Sequence, residues 1–191
     1  VLLACAGVGL LLIAGIGWAD DHRPLSPWSR LAVHAVAAGW LAGGFYLSGA
    51  SSLVAFTTFV SALALVNIWN FMDGIDGLAA TQTMLVAAAL AFLAGNFLAI
   101  HLGLALIAST LGFLPFNFPR ARIFLGDVGS GALGFALTLM PGMSLDAMPI
   151  RAWPLAFLPL SAFLLDAGLT LSTRVLRGER WWAPHVEHAY Q

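Results

Sequence analysis

The sequence predicts an all-α, polytopic integral membrane helix bundle, and three observations carry that prediction. Hydrophobic residues fill 60% of the 191 positions and charged residues only 9%, against about a quarter in soluble domains. Apolar stretches close to the roughly 20 residues that cross a bilayer recur along the chain. No stretch alternates with the period of two that a membrane β-barrel needs. Eight basic and nine acidic side chains cannot coat a soluble protein of this size. The same composition excludes a disordered chain, a coiled coil and a disulfide-stapled module.

Seven transmembrane helices are expected, at about 1–18, 31–47, 53–71, 78–94, 97–116, 129–145 and 152–172. The first runs into the acid pair Asp20-Asp21, and a proline-containing loop to Arg30 separates it from the second. Ser48-Gly49-Ala50-Ser51-Ser52 ends the second, and Asp73-Gly74-Ile75-Asp76-Gly77 ends the third. Little more than Gly95-Asn96 parts the fourth from the fifth. The next connection runs from Asn117 through Arg120 and Arg122 to Asp127, and the sixth surrounds Asp146 and Arg151. The spans read as one domain over 1–191, a piece of a longer protein truncated at both ends, since it opens inside an apolar run and closes in a polar one. The lone Cys5 can form no intrachain disulfide.

Charge gives the chain a sidedness. There is no lysine, and the net charge is −1, so no basic patch argues for nucleic acid. If every candidate spans, alternate connections share a side. Arg23, Arg30, Arg120, Arg122, Arg174, Arg177 and Arg180 then face Arg151 alone, which makes the richer side cytoplasmic. The same alternation puts Asp20, Asp21, Asp73, Asp76, Asp127, His185 and His188 on that side. A channel or transporter would carry polar groups at both mouths or at mid-depth. This pattern describes a one-sided site at a membrane surface.

Four motifs could carry chemistry there. Asp20-Asp21 ends a helix, where two negative charges meet the negative end of the dipole and repel each other unless a cation intervenes. Solvated helix-end acids are the plain alternative. Asn67, Asn70, Asp73 and Asp76 recur every three residues, so neighbours in the series lie a helical turn apart. Oxygen donors at that spacing suit Mg²⁺, which takes carboxylates, waters and substrate phosphates; capping of the next helix would explain Asp76 alone. The segment Arg120-Ala-Arg122-Ile-Phe-Leu-Gly126-Asp127-Val-Gly129-Ser130 joins two arginines suited to phosphate with a glycine-rich turn that opens a helix. A basic juxtamembrane loop before a tightly packed helix is its plain alternative. His185 and His188 form an i, i+3 pair that could ligate metal, contact phosphate or donate a proton. Trp181 and Trp182 suit an interfacial belt. Asp166, within the last span, needs a partner or a task.

Together these motifs resemble the polyprenyl-phosphate N-acetylhexosamine-1-phosphate transferases. The resemblance rests on Asp20-Asp21, on Asn67 through Gly77, on Pro119 through Ser130 and on Pro184-His185-Val186-Glu187-His188. His22-Arg23 after the acid pair, and histidines that are split rather than consecutive, look more like the O-antigen type than the peptidoglycan translocase. The resemblance implies a bacterial inner-membrane enzyme that moves a sugar-1-phosphate from a UDP-N-acetylhexosamine to polyprenyl phosphate and releases UMP. It implies Mg²⁺, with Mn²⁺ as an alternative, and leaves a homodimer open. On this reading Asp127 is the foremost metal ligand, with Asp73 and Asp76 holding metal or nucleotide. Asp20 is the base for the lipid phosphate, with Asp21 beside it. Asn67, Asn70, Arg120 and Arg122 bind substrate, and His185 and His188 contact phosphate or sugar. Two other classes bear comparison. A CDP-alcohol phosphatidyltransferase would need Ala-Arg soon after its first Asp-Gly, which this chain lacks. A cation or lipid transporter would need several deep polar groups, and only Asp166 clearly qualifies.

Overall fold

A computed structural model describes residues 1–178. His185, His188, Arg180, Trp181 and Trp182 lie outside the described residues. Helices α1 (Leu2–His22), α2 (Pro27–Leu47), α3 (Ser52–Met72), α4 (Leu78–Ala94), α5 (Phe97–Asn117) and α6 (Gly126–Ala147) follow in order. The chain then continues through short α7 (Trp153–Phe157), flanked by 3-10 turns, into α8 (Ser161–Leu176). No strand occurs among the described residues, so the fold is the all-α membrane bundle that composition demanded. Five helical stretches are long and apolar enough to cross a membrane: α1, α3, α5, α6 and the broken stretch Ile150–Leu176. α4 is apolar but 17 residues long, and α2, with 21 residues, is not among the five.

Local chemistry sets most of the ends. Ser26 and Ser51 each cap a helix by accepting a backbone N–H three residues on, from Ser29 at 3.1 Å and Val54 at 3.2 Å. Pro27 follows Ser26 at the first helical position, where its missing N–H costs nothing. α4 ends at Gly95 in the left-handed conformation, and Asn96 at once caps α5 through Ala99 N–H at 2.9 Å. The last expected span departs from prediction. The stretch 152–172 is not one regular helix, because Pro154 and Pro159 supply no N–H and the chain passes through 3-10 turns at Ile150–Ala152 and Leu158–Leu160.

α6 is the hub. It packs against α1, α3 and α4, and 67% of its most apolar stretch is buried, against 17% for α5. One apolar cluster joins α1, α2, α3 and α6 through Ile13, Leu41, Val66 and Phe135. A second joins α3, α4, α6 and the α7–α8 segment through Leu65, Trp69, Leu90, Met140 and Phe163. Inside the second, Trp69 Nε1–H donates to Thr83 Oγ1 at 2.8 Å, which donates in turn to Ala79 O. Lipid is as apolar as leucine, so close contact rather than expulsion from water holds such helices together. Gly134 meets that need: a Cβ there would collide with the Leu65 carbonyl of α3.

The ends of the helices segregate as the alternation of loops required. Leu2, Ser48, Ala50, Asn96 and Asp146 line one shallow cavity at one end of the bundle. The α1–α2, α3–α4 and α5–α6 connections meet at the other. We expect Gly134→Ala to lower stability by about 1–3 kcal/mol through overpacking. Gly7→Ala, with nothing within 4 Å of the added carbon, should change it by no more than about 0.5 kcal/mol. Thermal unfolding of both variants in detergent checks the contrast, and equal effects would contradict the close α3–α6 approach.

Candidate active site

The site is assembled from the ends of four helices. α1 carries Asp20 and Asp21 in its last turn, α2 carries Arg30 in its first, α3 carries Asn70 in its last, and α6 carries Asp127 in its first. Two of these charged ends are unfavourable taken singly: an acid at the C-terminus of α1 and a cation at the N-terminus of α2 both oppose the dipole. Brought together they compensate. Arg30 pairs through one nitrogen with Asp20 Oδ2 at 2.7 Å and through the other with Asp127 Oδ2 at 2.8 Å. It also donates to Asn70 Oδ1 at 3.3 Å. The Asn70 amide then donates to Asp127 Oδ1 at 2.6 Å and to Ser130 Oγ at 3.1 Å. Leu25 N–H donates to Asp20 Oδ1 at 2.6 Å, which closes the α1–α2 loop around the acid.

Asp127 is held at both oxygens, by Asn70 at Oδ1 and by the Arg30 charge at Oδ2. Its Oδ2 is buried and, although Arg30 is close, has no well-aligned hydrogen bond. The charge on that oxygen is met by the Arg30 guanidinium at 2.8 Å. Asp73, just past the end of α3, lies near enough to feel the Asp127 charge. Burial first, and that charge second, push its carboxyl up to about 7.

Asp21 faces away from this cluster. Its Oδ1 accepts from Asp127 N–H at 3.0 Å and its Oδ2 from Val128 N–H at 3.4 Å. It therefore caps α6 from another helix, where Leu125 at the cap position provides no side-chain bond. Gly126 makes the approach feasible. Its φ is +61°, and a Cβ there would sit 2.6 Å from Asp21 Oδ2. The glycine-rich turn was expected to present its N–H groups to a bound anion; two of those groups are instead taken by Asp21.

Asp76 is a strut. Its Oδ2 accepts Ala121 N–H at 2.9 Å, fixing the α5–α6 loop. Gly77 N–H donates to Asn117 Oδ1 at 2.7 Å, and Asn117 donates to Ile123 O at 3.0 Å, which fixes the same loop from its other side. Asp76, expected to share a cation with Asp127 and Asp73, is here engaged with the α5–α6 loop. Among the described residues no three His, Cys, Asp or Glu side chains form a group that could hold a metal ion. The three-residue period breaks because α3 ends at Met72, so Asp76 no longer follows the helical screw. Asn67, expected to bind substrate, donates its amide to Leu63 O at 2.7 Å, a turn back in its own helix. Arg120 and Arg122 are exposed on the loop that Asp76 and Asn117 fix, with the Arg122 guanidinium 6.0 Å from the centre of the Phe116 ring.

Two carboxylates and an amide oxygen remain gathered at one place: Asp127, Asp73 and Asn70. Such a set could hold a hard divalent cation that keeps waters or takes phosphate oxygens for its other positions. Motif reading missed Arg30, Ser130 and Asn117. Arg30 had a signal, since a cation in the first turn of a helix, ten residues after an acid pair, opposes the dipole unless an anion meets it. Ser130 and Asn117 had none beyond their neighbours.

Fold and site together define a helical membrane protein with an acid-rich cluster at one end of the bundle, and the comparisons give the class its family. The family model described as glycosyl transferase family 4 matches residues 3–144, and the chain belongs to that family. It is 32% identical over 132 residues to a probable undecaprenyl-phosphate N-acetylglucosaminyl 1-phosphate transferase of Bacillus subtilis, covering 67% of this chain and 37% of that protein. It is 32% identical to a decaprenyl-phosphate N-acetylglucosaminephosphotransferase of Mycobacterium tuberculosis, covering 94% of this chain and 54% of that protein. It is 33% identical to a phospho-N-acetylmuramoyl-pentapeptide-transferase of Clostridioides difficile, covering 68% of this chain and 50% of that protein. The chain thus spans about half or less of the length of these relatives. The family match leaves the phosphatidyltransferase and transporter readings without support.

The raised Asp73 carboxyl yields a pH prediction. Because its value is higher in the folded chain than the ordinary 3.8, the folded state holds the proton more tightly. Its contribution to stability is then full at low pH, falls as pH rises from about 4 to 7, and is gone above that. Thermal unfolding in chelator should show that slope, and Asp73→Asn should flatten it and be the more stable form above pH 7. An unchanged slope in the variant would contradict the buried setting of Asp73.

Proposed function

We propose that the complete protein transfers a sugar-1-phosphate from a UDP-N-acetylhexosamine to polyprenyl phosphate and releases UMP. The observation that carries this reading is the meeting of Asp20, Asp73 and Asp127 with Arg30 and Asn70 at one end of a membrane bundle. Sequence position separates these groups widely, and their gathering at one end of the bundle supports a shared task. The family supports the reading, since the relatives named above are transferases whose names combine a prenyl phosphate with an N-acetylated sugar phosphate. The arginine asymmetry supports a cytoplasmic site in a bacterial inner membrane, where a water-soluble UDP-sugar meets a lipid phosphate at the headgroup level.

The chemistry suits the residues. An oxygen of the acceptor phosphate forms a bond to the sugar-linked phosphorus of the donor, and the bond from that phosphorus to UMP breaks. Both reactants are anionic, so the site has to screen charge before they approach. Asp127 and Asp73, with Asn70, would hold Mg²⁺ or Mn²⁺, which when bound neutralises the donor diphosphate and orients attack. Arg30, with 26% of its side chain exposed, offers a guanidinium fork to a phosphate. Asp20 keeps Arg30 in place and is the proton acceptor nearest to it. Arg120 and Arg122 stand on a fixed loop beside the site, ready to bind an incoming phosphate.

The experiment is UMP release by the complete protein from UDP-N-acetylglucosamine and related donors, with and without polyprenyl phosphate and chelator. Release should need both the lipid phosphate and free divalent cation. Asp127→Asn should lower it by at least about 100-fold, the usual cost of losing a principal electrostatic group. Near-normal turnover of that variant at ordinary Mg²⁺ would remove Asp127 from the centre.

A further inference from the structure

We infer that Asp21 takes no part in metal binding or proton transfer, and acts as a positioning residue that caps α6 from α1 and so aims Asp127. The inference rests on the transferase reading for what Asp127 does, and on geometry alone for what Asp21 does. Adjacent residues on a helix project about 100° apart, so Asp20 and Asp21 cannot both enter one ligand sphere without distorting α1. The structure divides them. Asp20 turns to Arg30, while both oxygens of Asp21 turn to the N–H groups of Asp127 and Val128.

Three further observations make this a built joint. α6 has no side-chain cap of its own at Leu125, so its first amides would lack partners without Asp21. Gly126 has the left-handed φ and the missing side chain that let the carboxylate approach. Gly17, one turn earlier on α1, lies so close to α6 that a Cβ would come within 2.6 Å of the Asp127 carbonyl carbon and the Val128 nitrogen. The backbone that carries Asp127 is therefore gripped by α1 from below through Gly17 and at its tip through Asp21. An anion at a helix N-terminus also gains from the dipole, which gives Asp21 a use for its charge that needs no substrate.

The two roles separate by substitution. A cap needs an acceptor oxygen, and Asn keeps one for the shorter bond from Asp127 N–H at 3.0 Å while giving up the longer one from Val128 N–H at 3.4 Å. A metal ligand or base needs the carboxylate. In the complete protein, Asp21→Asn should keep turnover and Mn²⁺ affinity within a few-fold of the parent. Asp21→Ala should lose both by about 5- to 30-fold, the equilibrium equivalent of a lost cap. Amide hydrogen exchange in the peptide spanning Asp127 and Val128 should quicken more in the Ala variant than in the Asn variant. Asp21→Asn as inactive as Asp21→Ala, with exchange protection intact, would overturn the inference by showing that the charge itself is required. Unchanged exchange in Asp21→Ala would overturn it as well. Should the parent protein release no UMP at all, the transferase reading fails, and the exchange result still decides whether Asp21 is the cap.

Discussion

The structure depends on one charge-compensated joint: the Arg30 guanidinium held between Asp20 and Asp127. The last turn of α1 carries an acid, the first turn of α2 a cation, and the first turn of α6 another acid. Charges at a membrane boundary are costly unless they meet partners, and two of these three also oppose their own helix dipole. Their common solution is to sit together, at 2.7 and 2.8 Å, with Asn70 filling the remaining hydrogen-bond positions. This draws four helix ends to one point.

Packing makes the joint feasible. A bundle in lipid gains little from burying apolar surface, so its helices must touch closely. α6 does this through glycines at its contacts with α1 and α3, and its burial of 67% against 17% for α5 follows. The same closeness carries the site. Gly17 lets α1 lie against the backbone of Asp127, and Gly126 lets Asp21 reach the tip of α6. Small residues that look like filler in a hydrophobic run are what place an acid from residue 127 beside one from residue 20.

Much of this was legible in the residues. Span positions followed from hydropathy and from turn residues such as Gly95-Asn96, and α4 matches its expected bounds. The helix ends at the site were drawn too short, because Asp20, Asp21 and Asp127 look like loop residues to any reading based on hydropathy. That alternate connections share one end was legible from the succession of apolar spans. The final span was misread as regular because composition does not register two prolines that each remove a backbone donor. Within the site, the acids could be listed but not divided by task. A period of three suggested that Asn67, Asn70, Asp73 and Asp76 act together, yet α3 stops after Met72 and Asp76 turns to the Ala121 amide instead. Arg30 was counted only for topology, because its partners lie in three other elements and no local pattern names them.

The central claim is energetic, and a double-mutant cycle between Arg30 and Asp127 tests it most directly. Arg30→Gln, Asp127→Asn and the double variant of the complete protein would be compared by unfolding stability in chelator at neutral pH. The account predicts that the two single losses fail to add, with a coupling of about 0.5–3 kcal/mol that persists in moderate salt because the pair is largely shielded from water. Simple additivity would mean that the two groups do not hold each other, and that the meeting of the loops has some other cause.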